Sequence, residues 1–504
     1  ADEGGGMYNY GSYRGISPTV TDCTFSGNTA DKGGGMANCD FSSPTVTNCT
    51  FNDNEADYGG GMYNYHSEPT VTNCSFSGNT ANDCGGGIYS KLYPRYVTRK
   101  GTLNISNSTL SSNTAGDRGG GIFNDLHFTL NISNTTVCSN TAGSSGGGIY
   151  NKGILNTSSS TFSSNSGTHG GGMYNWGDAT LTNCTFSGNE ADWGGGMYND
   201  TIADESSRAA LLNCTFSSNF ANQDGGGMFN YWSNPVLRNT IVANSAAGND
   251  CSGQGTIASE GYNLDSDGTC GFTAEGDLSN TDPLLGPLQN NGGPTLTHAL
   301  LPGSPAIDAI PEGVGEGGYN GAPATDQRGV SRPQPPGGNC DIGAYEARRF
   351  TLTVAGAGTG NGTVTNAGID CNISAGTTSG DCSETLLEMA IVTLKAQPGD
   401  DSFFVGWSGD CSGTEFTMTV TMDADKTCTA TFNLKPPPIP VGGYVVPVNR
   451  LELLVPWLGL ALAGAGGLVT LRATIARRRE GDFYEFVKWG LGLSDDNAGG
   501  DEAQ

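Results

Sequence analysis

The sequence predicts an all-β chain: a right-handed parallel β-helix solenoid, a capping region, a small β domain and then one C-terminal transmembrane helix. Three observations carry this. Gly-Gly-Gly followed by Met or Ile recurs nine times, starting at Gly4, Gly33, Gly59, Gly85, Gly119, Gly146, Gly170, Gly194 and Gly225. Between the triplets run short segments rich in Thr, Val, Phe and Tyr, which fit strands, broken by Gly, Asn, Ser and Asp, which fit turns. Near the C-terminus, Leu453–Leu471 is uncharged and is followed by Arg472 and Arg477–Arg479.

Composition narrows the function. A length of 504 residues allows two to four domains. The net charge is 23 − 50 = −27, which argues against a nucleic-acid partner, since that needs a basic face. Only 14% of residues are charged and 36% are apolar, so the chain is not simply disordered. The 80 glycines show no three-residue period, so it is not collagen. Fifteen cysteines are too sparse for a disulfide scaffold but suit an exported protein with local bridges.

The first domain is residues 1–248. Triplet spacings run from 24 to 34, as expected for one supersecondary unit carrying insertions at a fixed place. Each unit holds about three short strands, and units stacked at ~4.8 Å give a rod of roughly 40 Å. Stacking predicts columns. Phe25, Phe51, Phe76, Leu110, Val137, Phe162, Phe186, Phe216 and Ile241 form one apolar column, and Met7, Met36, Met62, Ile88, Ile122, Ile149, Met173, Met197 and Met228 another. A third is Asn28, Asn54, Asn79, Asn113, Asn140, Asn165, Asn189, Asn219 and Asn244. It reads as an inward amide ladder, which must be satisfied along its length because an orphaned buried amide costs ~1–3 kcal/mol; solvent-facing turn residues are the alternative. A fourth column is Cys23, Cys49, Cys74, Ser108, Thr135, Ser160, Cys184, Cys214 and Asn239. With no Cys-x-x-Cys and four unrelated histidines, its thiols read as small buried groups rather than metal ligands.

These residues carry a resemblance. GGGMYN…TNCTFSGN resembles the repeats of right-handed parallel β-helix proteins of the pectin-lyase-like superfamily, and within it bacterial surface proteins similar to the polymorphic outer-membrane proteins.

Residues 249–349, the end of the β-helix and its cap, hold TDPLLGPLQNNGGPTLTHALLPGSPAIDA (Thr281–Ala309), TDQRGVSRPQ (Thr325–Gln334) and CDIGAYE (Cys340–Glu346). This resembles the choice-of-anchor Q region of exported β-helix proteins, which implies a cap for the open end of the solenoid. Asp326, Arg328, Asp341 and Glu346 read as an internal Arg–carboxylate clamp, with a catalytic carboxylate pair as the rival. Residues 350–433 alternate as strands, and GWSGDCSG at Gly406–Gly413 resembles a bacterial B-repeat-like domain, which implies a spacer or interaction module. By spacing, Cys371–Cys382 and Cys411–Cys428 should pair there, and Cys251–Cys270 in the loop before the cap.

A Pro-rich linker, 434–449, is extended and semi-rigid. Within the anchor, 450–475, Leu453–Leu471 would span the membrane as a helix of about 28 Å, and 476–504 is a basic stop with an acidic tail. This order resembles C-terminal sorting signals, although VPVN departs from their commonest form and the tail is long. The Arg cluster places the solenoid outside the cell, with the membrane as a partner through the C-terminal helix. Ala1 enters in mid-repeat and no signal peptide precedes it, so a truncated or processed chain is expected.

Two side-chain groups could carry binding. Asp31, Asp57, Asp83, Asp117 and Asp192 each lie two residues before a triplet. Asp57 and Asp83, on adjacent coils, either cap turns in solvent or share Ca²⁺; no other cofactor is expected. The coil-four insertion sets Lys91, Arg95, Arg99 and Lys100 among Tyr93 and Tyr96, which could hold an acidic glycan by charge and stacking, or simply be a solvated loop. No zinc motif, nucleophile elbow or P-loop is present. The reading is therefore a non-enzymatic bacterial cell-surface rod, structural or adhesive, that binds glycans or partner surfaces; a polysaccharide-active enzyme is the alternative.

Overall fold

A computed structural model describes residues 1–12, 15–92, 101–201, 209–315, 318–366 and 368–438. Contacts divide the chain into Ala1–Lys435 and Pro436–Gln504, and every described strand belongs to the first unit. The expected helix at Leu453–Leu471 lies outside the described residues. Among the described residues no helix is long and apolar enough to cross a membrane.

The repeats form a parallel β-solenoid of three ten-stranded sheets. Strands of the first sheet begin with the Met or Ile after each triplet, as in Met62–Tyr65 and Ile149–Asn151. The second runs from Thr19–Thr21 through Ile154–Ser158, and the third from Thr24–Ser26 through Thr185–Ser187. Several coils add a short fourth strand before the triplet, such as Glu55–Tyr58 beside Thr80–Cys84. Ten strands per sheet make about nine turns. The tenth rung is Cys251–Gly253, Ala258–Ser259 and Leu264–Asp265, so the solenoid continues past residue 248.

The triplets bring coils into backbone contact. Gly59 sits at φ +65°, where a Cβ would lie 2.3 Å from the Met62 carbonyl oxygen; at Gly86 a Cβ would meet the next coil's Gly120 carbonyl at 2.5 Å. Larger residues would push the coils apart at this corner.

The Met/Ile column and the Phe/Leu/Val column stack in register and are buried from coil two onward. Coil nine departs by one residue from the register that the repeat pattern predicts. Val242, not Ile241, pairs with Phe216. Thr240, not Asn239, receives the Cys214 backbone N–H. Asn244 is therefore not a rung of the amide ladder: it is exposed at φ 56°, where the preceding coil has Ser218 at φ 58°. Asn tolerates this left-handed turn, so matching Asn to Asn shifted the whole coil. The displaced Ile241 is buried against the segment that follows the solenoid.

Residues 249–349, the expected β-helix end and cap, divide into two parts. The end is closed by the Cys251–Cys270 disulfide and buried Phe272. Residues 281–347 instead run back along the outer face of the third sheet and cover coils six to nine. Gln327 locks them there: its amide accepts from the Thr185 hydroxyl at 2.7 Å and donates to Thr161 and Thr295 hydroxyls, both at 2.9 Å. Thr161, Thr185 and Thr215 are buried beneath this strap.

Residues 349–434 form two sheets, of four and five strands. Leu352, Val354, Val364, Leu394, Trp407 and Phe432 make their core, and Cys371–Cys382 and Cys411–Cys428 are disulfide-bonded.

Candidate functional site

Each solenoid coil uses its inward side chains to hold to its neighbours. Asn28 Nδ2 donates to Asn54 Oδ1 at 2.8 Å, and the pattern continues through Asn79, Asn113, Asn140, Asn165, Asn189 and Asn219 at 2.8–3.0 Å. Each Oδ1 also accepts a backbone N–H, as from Asn113 to Asn140. The sequence reading missed a second inward ladder, Asn9, Asn38, Asn64, Asn124, Asn151, Asn175, Asn199 and Asn230, interrupted by Ser90. Its signal was the Asn two residues after each Met or Ile.

The cysteine column is structural. Cys74 Sγ donates to the Thr72 carbonyl and accepts the Cys49 backbone N–H; Ser108 and Thr135 hydroxyls do the same in their coils. That double duty explains why its substitutes are small and polar. These thiols are free, and burial pushes Cys74 up to about 11.

Function must then sit on the outward faces. On the first sheet, Tyr63, Tyr89, Phe123, Tyr150, Tyr174, Tyr198 and Phe229 stack with centroids 4.8–5.5 Å apart. Each ring covers its neighbour's face, so the column offers edges rather than a stacking platform. Arg118 lies 5.4 Å from the Tyr150 ring, and burial, the largest influence, pushes that phenol up to about 12.

The third face is under the strap in coils six to nine. The second face is open in coils four to seven, where its strands lengthen to five or six residues. Here a groove of about 340 Å³ is lined by Asn104, Asn131, Asn156 and Thr180 in one row and Ser106, Ser133, Ser158 and Thr182 in the next, over Ile105, Ile132 and Thr157. Asn156 donates to Asn131 at 2.9 Å and Asn131 to Asn104 at 2.8 Å. None of the lining residues is ionisable. The Leu-Asn-Ile-Ser repeated at 103–106 and 130–133 was its sequence signal.

The predicted ligand residues are placed as follows. Lys91 ends the strand Ile88–Lys91, opposite Tyr65; Tyr93, Arg95, Tyr96, Arg99 and Lys100 lie outside the described residues. Asp57 stands opposite two residues, Asn82 and Asp83. A bulge in Thr80–Cys84 puts Asn82 beside Asp57, with a 3.0 Å hydrogen bond from Asn82 Nδ2. Asp83 groups instead with Cys84 and Asp117, their ligand atoms within 4.8 Å. Those carboxylates have protein partners: Asp83 accepts from Cys84 Sγ, and Asp117 pairs with Arg118 at 3.4 Å.

The clamp in the strap is larger than the sequence suggested. Asp326 pairs with Arg328 at 2.8 Å and Glu346 with Arg332 at 2.8 Å, while Asp341 accepts the Asp308 and Ala347 backbone N–H groups. Arg328 also lies 3.5 Å from the Tyr345 ring centre. Each of these carboxylates is occupied by protein donors.

Residues 73–91 match the Chlamydia polymorphic membrane protein repeat, and residues 351–436 match the divergent InlB B-repeat domain. No curated relative and no solved structure matches the chain. With the β-solenoid, these matches support a surface repeat protein. Its three disulfides fit an exported setting.

Proposed function

We propose that this chain is a bacterial cell-surface rod, structural or adhesive, that displays its solenoid for binding glycans or partner surfaces. The observation that carries this reading is the open second face, a neutral carpet of amides and hydroxyls. A glycosidase needs two carboxylates flanking the scissile bond, and a non-enzymatic role fits a face that offers neither acid nor base. A right-handed coil fits the general hand of parallel crossovers. We further read residues 249–349 as a choice-of-anchor Q region and Leu453–Leu471 as the membrane anchor, which would leave the solenoid outside the cell.

Two measurements test this. Protease applied to intact cells should remove the solenoid and spare the C-terminal tail; a protected solenoid overturns the surface reading. A glycan array paired with a reducing-end release assay should give binding without release; turnover would favour the polysaccharide-active alternative.

A further inference from the structure

The groove of the second sheet has the chemistry of one ligand class. Its two rows run along the solenoid axis, so an amide and a hydroxyl recur in coils four to six, and two hydroxyls in coil seven, every ~4.8 Å. From coil four to coil seven that is about 14 Å, long enough for an extended chain molecule rather than a single small solute.

The free hydrogen-bonding capacity lies at the surface. Among the described residues the hydroxyls of Ser133, Ser158, Thr180 and Thr182 bond to no protein group, and Asn156 Oδ1 accepts from none, whereas Asn104 and Asn131 accept from the next coil. Each unpaired hydroxyl can both donate and accept. The groove can thus pair with alternating donors and acceptors but supplies no counter-charge, while the chain as a whole carries −27. A polyanion would be repelled and a polycation would find no carboxylate in the groove.

The strand entrances add apolar and cationic surface. Lys152 stands 4.6 Å over the Trp176 ring. They lie just before Ile154–Ser158 and Asp178–Thr182, which line the groove. Lys152 covers that indole, so it edges the groove without offering a ring-stacking platform.

We propose that this groove binds a neutral, hydroxyl-rich polysaccharide laid along the solenoid axis. The inference rests on the adhesive reading above and assigns it a site and a ligand class, distinct from the basic coil-four insertion, which would select an acidic glycan.

The test titrates the full chain with neutral oligosaccharides (β-1,3-glucan and dextran fragments) and with acidic polygalacturonate fragments. Asn131→Val with Asn156→Val should weaken a neutral oligosaccharide about tenfold or more. Ser133→Ala with Ser158→Ala, a smaller change to the strand surface, should weaken it in the same direction, with unchanged melting as the folding control. Binding should persist at about 1 M salt, where charge interactions are screened within ~3 Å, and should survive Lys91→Ser, Arg95→Ser, Arg99→Ser and Lys100→Ser combined. Neutral binding that is absent, or equal in folded groove variants and wild type, overturns the proposal. So does binding confined to polygalacturonate and abolished by salt. Cell-surface protease access is scored separately: a chain that is displayed but binds no neutral glycan sinks the groove, whereas a chain hidden from protease sinks the surface reading.

Discussion

Arg328 of the strap and Glu388 of the terminal β domain meet 3.4 Å apart, with side chains 1% and 7% exposed. Arg348 holds the other Glu388 oxygen at 2.6 Å. The ion pairs thus tie the strap directly to the domain that follows it. Removing one partner of a buried pair leaves the other charge uncompensated, at a cost of ~3–5 kcal/mol. Glu388→Ala should lower stability by an amount of that order in urea unfolding, and should expose the junction near residue 348 to protease. An unchanged midpoint would show that the pair holds nothing together.

The same carboxylate sets a pH dependence. Burial pushes Glu388 up, but hydrogen bonds from Arg348 and Tyr345 and the charge of Arg328 leave it below its ordinary value. A group lowered in the fold contributes stability above its unfolded pKa and loses it as pH falls through the folded one. Melting followed from pH 6 down to pH 3 should show the junction weakening below about pH 4. Asp341 and Glu346 are raised, first by burial. Their contribution has the opposite sign, present at low pH and lost as pH rises, so Glu388→Gln should abolish or even reverse the junction's acid limb rather than merely shift it.

Asn140 accepts from the Asn113 backbone and side chain and donates to Leu110 O and Asn165 Oδ1. Asn140→Ala would orphan several buried groups and should cost ~3 kcal/mol or more. Asn244→Gly, at an exposed left-handed turn, should stay within ~0.5 kcal/mol. Equal losses in the two variants would contradict the ladder and its end at Asn219.

The cysteines divide into six bonded and nine free, which accounts for all 15. In the folded protein a thiol reagent should label exposed Cys23 first and leave Cys49, Cys74, Cys184 and Cys214 untouched. Loss of Cys251–Cys270, which closes a separation of 19 residues, should cost ~3 kcal/mol in the chain-entropy model and fray the C-terminal coils first. A peptide linking Cys49 to Cys74 would refute this division.

What was legible in the sequence was what repeats. The triplets, the Met and Phe columns and the Asn at a constant offset gave sheets, core and ladder, because each coil is under the same packing constraint as its neighbours. Coil nine misled because Asn244 satisfies the pattern by identity while its backbone sits at a turn. The Asn82–Asp57 bond was not legible because a one-residue bulge is invisible to spacing. Gln327 and Glu388 act on partners more than 50 residues away, and nothing local distinguishes them from any solvated polar residue. The groove was half legible: its Leu-Asn-Ile-Ser repeats are plain, but that outward Asn and Ser rows leave a concavity requires the fold.

The strap makes the solenoid mechanically uneven. Among the described residues, coils one to five adhere through contacts with neighbouring coils and not through the strap, so tension would peel them off one at a time, each step releasing a repeat's length of chain at low force. Coils six to nine are splinted through Thr161, Thr185 and Thr215 to a single segment that crosses all of them. Under load they must yield together. A tether pulled from its N-terminal end would first unwind like a ratchet and then hold, which lengthens the reach of a bound partner before the rod itself gives way.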